Sequence, residues 1–94
     1  MKALLLVYDM DFEEEVMEVL REVGLSSFTL WERVLGQGER SEPKLGTHAW
    51  PSLNRALLLV MEEGQWKKAA EKVRELTGRP GIRAFLWEVE GVGG

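Results

Sequence analysis

The chain has no cysteine, one histidine and one tyrosine among its 94 residues. The missing thiols exclude disulfide staples, zinc–cysteine sites, iron–sulfur clusters and cysteine catalysis. Basic charge is also scarce: 12 lysines and arginines stand against 16 aspartates and glutamates, a net charge of −4. A nucleic-acid binder normally presents a basic stripe, and here the cations are scattered among acids, so nucleic acid is not an expected partner. No apolar run approaches the ~20 residues of a membrane span. The opening "MKALLLVYDMD" has a short apolar core that runs into aspartates, unlike a secretory signal. A cytoplasmic protein without membrane insertion is the expectation.

Apolar residues, by contrast, are abundant: they make up 45% of the chain, and four of them are tryptophans. A single copy of this length buries only about 60–65% of the surface its unfolded chain exposes. One domain spanning 1–94 is expected, because so short a chain rarely supports two cores.

Residues 2–8, "KALLLVY", form an apolar run of strand length that stops at Asp9. The next segment, "DFEEEVMEVLREVG", switches to a helical period and places Phe12, Val16, Val19, Leu20 and Val23 on one face. Asp11 is the expected N-cap, with Glu14 closing a capping box and Gly24 ending the helix in the left-handed conformation. Residues 27–35, "SFTLWERVL", alternate as a strand: Phe28, Leu30 and Val34 face one way, and Thr29, Trp31, Arg33 and Leu35 the other. A long loop follows, rich in glycine and proline. Residues 54–61, "NRALLLVM", read as a third strand that is apolar on both faces. A second helix carries Trp66, Ala69, Ala70, Val73 and Leu76 on its buried stripe and stops at Gly78, Pro80 and Gly81. Residues 82–90, "IRAFLWEVE", form the fourth strand.

The order βαββαβ implies a ferredoxin-like α+β sandwich, a four-stranded antiparallel sheet with two helices on one face. The uncovered face should then alternate to polar residues. It does not: strands one and three are apolar on both sides, and Trp31, Phe85 and Trp87 are candidates for the outer face. A lone copy would expose more apolar surface than monomers usually tolerate, so oligomerisation through the bare sheet is expected.

Across nearly its whole length the chain resembles the PII-like superfamily of small trimeric signalling proteins. The resemblance lies in "MKALLLVYD", "EEVMEVLREVGLSSFTLWERVLGQG" and "ELTGRPGIRAFLWEVEG". "GQG", Gly36–Gln37–Gly38, matches the glycine turn that closes the second strand ahead of the family's T-loop. Thr77–Gly78 and Arg83 stand near the second ligand turn. The resemblance implies a PII-like homotrimer whose sheets face a central axis. It also implies an adenine nucleotide (ATP, ADP or AMP) bound in the clefts between subunits. A T-loop-like segment, 39–53, would signal to a target protein such as a transporter or enzyme. This segment is shorter than in the nitrogen regulators and has no tyrosine for modification. "GRPGIR" lacks the aspartate of the family's phosphate cradle, and the second strand is about one residue longer before its turn, the mark of a bulge. The Trp31–Glu32 pair is a looser match to CutA-type trimers, which makes a metal-binding trimer the alternative.

Three clusters are candidate ligand contacts. Thr47, His48 and Trp50 in "GTHAWP" combine a titratable imidazole with an indole; they suit a small-ligand contact, a metal, or a loop pinned to a neighbouring subunit. Gly36, Gln37, Gly38 and Arg40 can present successive backbone amides and a guanidinium to an anion. Gly78, Arg79 and Arg83 flank a rigid turn and can meet a phosphate or carboxylate, although arginines at a helix end also simply suit its dipole. No nucleophile–base pair, phosphate loop or histidine pair is present, so a binding protein is expected rather than an enzyme.

Overall fold

The computed structural model describes residues 1–36 and 52–93. Strand β1 (Lys2–Asp9) runs into a 3-10 turn (Met10–Phe12) and helix α1 (Glu13–Glu22). Strand β2 (Thr29–Gly36), strand β3 (Ser52–Met61), helix α2 (Glu63–Thr77) and strand β4 (Ile82–Glu88) follow. The four strands form one sheet in the order β2-β3-β1-β4, with every neighbouring pair antiparallel. Each helix therefore links two parallel strands separated by a third. This is the ferredoxin-like arrangement, and it leaves both helices on one side of the sheet.

The alternation of β1 shows how the layers form. Leu4, Leu6 and Tyr8 point to the helices and pack with Leu57, Leu59 and Met61 of β3. Val16 and Leu20 of α1 and Ala69, Val73 and Leu76 of α2 close this core from above. The helical stripes read from the sequence are thus the buried ones, with Phe12, Val19, Val23 and Trp66 packed at their margins. Burying a leucine or valine side chain is worth about 1.5–3 kcal/mol, so this single layer supplies most of the drive to fold.

Odd-numbered β1 residues face the other way. Ala3, Leu5 and Val7 lie in register with Val60, Leu58 and Ala56 of β3, and with Trp87, Phe85 and Arg83 of β4. Among the described residues no helix covers this face. Trp31, Val60, Phe85 and Trp87 remain 47%, 50%, 52% and 44% exposed, so the bare sheet is apolar as expected.

Several local expectations are corrected. Asp11 does not cap α1. Instead Asp9 caps the preceding 3-10 turn, its carboxylate accepting from the Asp11 amide at 2.9 Å, and Phe12 at the helix start makes no side-chain cap. That extra turn lets the chain leave the strand before the helix begins. Gly24 does end α1 with φ +77. Phe28 precedes β2, whereas Ser52 and Leu53, assigned to the 39–53 loop, belong to β3. Val34 does not share a face with Leu30. Trp31 is opposite Ala56 and Val34 is opposite Asn54, three residues against two, so a bulge at Glu32 and Arg33 turns Val34 to the bare face. The longer second strand is this bulge. α2 has a capping box of its own, in which Gln65 Oε1 accepts from the Glu62 amide at 3.0 Å.

Candidate functional site

Antiparallel pairing brings one set of chain ends together. β1 finishes at Asp9, β2 finishes at Gly36, and β3 and β4 begin at Ser52 and Ile82, all at the same end of the sheet. Gly36 pairs with Ser52, so the intervening segment leaves and re-enters at adjacent strand ends. The α2–β4 turn arrives at the same end on the other side of β1.

This turn is fixed by backbone contacts. The Gly78 amide closes α2 on Glu75 O at 3.2 Å, the Arg79 amide bonds Leu76 O at 3.1 Å, and Ile82 returns to Arg79 O at 3.3 Å. The Asp9 amide then donates to Gly81 O at 2.9 Å, tying the turn to the end of β1. Gly81 has φ +98, and a Cβ there would lie 3.0 Å from Phe12 Cε2. Only glycine satisfies both the left-handed backbone and the ring against it.

The two arginines of "GRPGIR" diverge. The Arg79 guanidinium turns back to the helix layer and pairs with Glu15 of α1. Arg83 is on the bare face opposite Val7 and has no carboxylate partner among the described residues. Pairing also sets Trp31, Ala56, Val7 and Arg83 in one row across the sheet. An indole and a guanidinium therefore flank a low apolar floor. Such a row can take a planar apolar group and meet an anion at one end.

Behind the row, on the helix side, a polar cluster braces the same end. The Tyr8 hydroxyl donates to Glu13, whose other oxygen accepts from Arg55 Nη1 at 2.8 Å. Burial, with the hydrogen bond to the carboxylate adding to it, pushes the Tyr8 phenol well above the usual tyrosine range. Asn54, in the next position along β3, is buried on the bare face opposite Asp9 and Val34.

Of the expected contacts, the structure therefore places Gly36, Gly78, Arg79 and Arg83 at one end of the sheet, with Arg79 engaged by Glu15. Gln37, Gly38, Arg40, Thr47, His48 and Trp50 lie outside the described residues. Sequence reasoning passed over Asp9, Glu13, Asn54 and Arg55. Two polar residues opening an otherwise apolar strand, Asn54 and Arg55, were the signal that could have found the brace.

No protein-family profile matches the chain, and no curated protein matches it. Solved structures do. CPII from Thiomonas intermedia K12, a nitrogen regulatory PII-like protein bound to ADP, AMP and bicarbonate, superposes with a TM-score of 0.77 at 12% identity. The match covers 99% of this chain and 93% of that one. The chain has the PII-like fold. The apo form of CPII gives a TM-score of 0.68 at 11% identity over 92% of this chain and 85% of its own. A protein from Thermus thermophilus, described as PII-like and signaling, gives 0.65 at 17% identity, over 92% of this chain and 83% of its own. At these identities the PII-like likeness is one of fold, carried by topology and packing rather than by shared residues.

Proposed function

We propose that this protein is a PII-like regulator that binds an adenine nucleotide in clefts between three copies of itself and signals to a target protein through residues 39–51, the part of the expected 39–53 segment that precedes β3. The observation that carries the reading is the uncovered apolar sheet on a fold whose CPII relative holds ADP and AMP. Packing the bare faces of neighbouring copies together would bury Trp87, Phe85 and Val60. It would also turn the Trp31–Arg83 row into the wall of a cleft. In that cleft Val7 and Ala56 form the floor for the base, and Arg83 takes a phosphate. The amides of Gly36, Gln37 and Gly38, with Arg40, supply a second anion contact. Thr47, His48 and Trp50 supply contacts to the ligand or to a neighbouring copy. A ligand that signals must bind two states of the protein with different affinity, and that difference is the signal.

Thermal scanning with ATP, ADP, AMP, copper and zinc tests the reading. A ligand at one hundred times its Kd adds about 2.7 kcal/mol, a readily measured rise in midpoint for so small a domain. An adenine nucleotide should raise it, and Arg83→Ala should diminish the rise. A midpoint unmoved by all three nucleotides at millimolar concentration overturns the proposal. A shift with copper or zinc alone, abolished by His48→Ala, replaces it with a metal-binding trimer.

A further inference from the structure

A groove runs between α2 and the outer edge of β4, reaching round that edge to Arg83 and Phe85 of the bare face. It encloses about 460 Å³. Leu4, Val73, Ile82 and Ala84 form its floor, and Trp66 and Leu86 its walls. Among the described residues, the only charged side chains lining it are Arg74 and Arg83, and neither has a carboxylate partner there.

Arg74 lies over Trp66. Its guanidinium carbon lies 6.0 Å from the centre of the Trp66 ring, two helical turns away. Ala70, one turn from each, leaves the helix surface low enough for that reach. A cation–π contact at this distance leaves the guanidinium N–H groups able to donate. The backbone carbonyl of Arg74 is occupied by the Thr77 hydroxyl at 2.8 Å, which further secures the last turn of α2.

The charge pattern runs against the rest of the chain. With a net charge of −4, the surface as a whole repels anions. A second groove of the same volume, between α1 and α2, is lined by Glu14, Glu15, Glu18, Glu22 and Glu75 with Lys72 and Arg79. Among the described residues, the α2–β4 groove has no acid in its lining. An apolar trough with unopposed guanidiniums at its rim suits a ligand with one apolar body and one negative charge, since each part then meets its complement.

We propose that this groove binds a small organic carboxylate, carried on a short acyl or aryl body, with the tail against Trp66 and Leu86 and the carboxylate on Arg74 and Arg83. The test is a titration of the full-length, 15N-labelled protein with octanoate, followed by NMR. Octanol serves as the uncharged control. The Trp66 indole N–H, assigned by its loss in Trp66→Phe, should shift saturably with octanoate. Octanol should bind at least about tenfold more weakly. Arg74→Gln and Arg83→Gln should each weaken octanoate, and Arg74→Lys should weaken it less than Arg74→Gln does. Equal binding of octanol and octanoate would reduce the groove to a greasy patch and overturn the proposal. So would a Trp66 resonance that stays fixed, whether the groove is empty of ligand or already filled by a strand of another copy.

Discussion

Tyr8 offers a sharp test of the packing at the candidate-site end of the sheet, because it is the only tyrosine in the chain and its side chain is fully buried. Burial and the bond to Glu13 both favour the neutral phenol, so its pKa in the fold lies above that of the unfolded chain. Below about pH 10 the phenol is protonated in both states, and its full contribution is present. Above that value the unfolded chain releases a proton that the folded chain keeps. Stability then falls by about 1.4 kcal/mol per pH unit until the folded pKa is passed. By about pH 12 the loss is about 2.7 kcal/mol, a large share of the ~5–15 kcal/mol that holds a domain of this kind. The assay is an alkaline titration of tyrosinate absorbance with circular dichroism recorded alongside. Ionisation should appear only together with loss of the fold. Tyr8→Phe should be less stable than the parent by about 1 kcal/mol at neutral pH, with the two stability curves converging as the pH rises. Tyrosinate forming near about pH 10 in a protein that is still folded would refute the buried Tyr8–Glu13 contact.

Other perturbations test the layers separately. Leu6→Ala opens a cavity under both helices and should cost about 2–5 kcal/mol in chemical denaturation, with the unfolding slope unchanged. Gly81→Ala forces an L side chain into positive φ and against Phe12; a loss of about 1–3 kcal/mol is expected, and an unchanged midpoint would contradict the turn. The nucleotide scan and its Arg83→Ala arm stand with these as a test of binding rather than folding.

The fold was legible because two periods alternate cleanly. The helical stripes around Val16, Leu20, Val73 and Leu76 and the doubly apolar β1 and β3 can be read by counting, and they imply one covered and one uncovered face. Where counting failed, a local feature had interrupted the period. The bulge at Glu32 and Arg33 adds a residue without adding a strand position, so Val34 lands on the opposite face from the one that alternation assigns. At the start of α1, the 3-10 turn consumes three residues, and Asp9 rather than Asp11 makes the cap. The site was legible only in part. Glycines and arginines mark Gly36, Gly78 and Arg83, but nothing in "TGRPGIR" reveals that Arg79 is held by Glu15, in the first helix of the chain. Contacts between distant segments, such as Glu13 with Arg55, depend on which strands become neighbours, and topology decides that.

Sedimentation velocity at micromolar concentration tests the central proposal, that the bare sheet is covered by other copies of the chain. A folded species of three times the 10.7 kDa chain mass is expected, falling to single copies when Trp87 is changed to glutamate. A parent protein that sediments as a well-folded single copy would contradict the account, because nothing else among the described residues covers the exposed indoles and phenyl ring of the sheet.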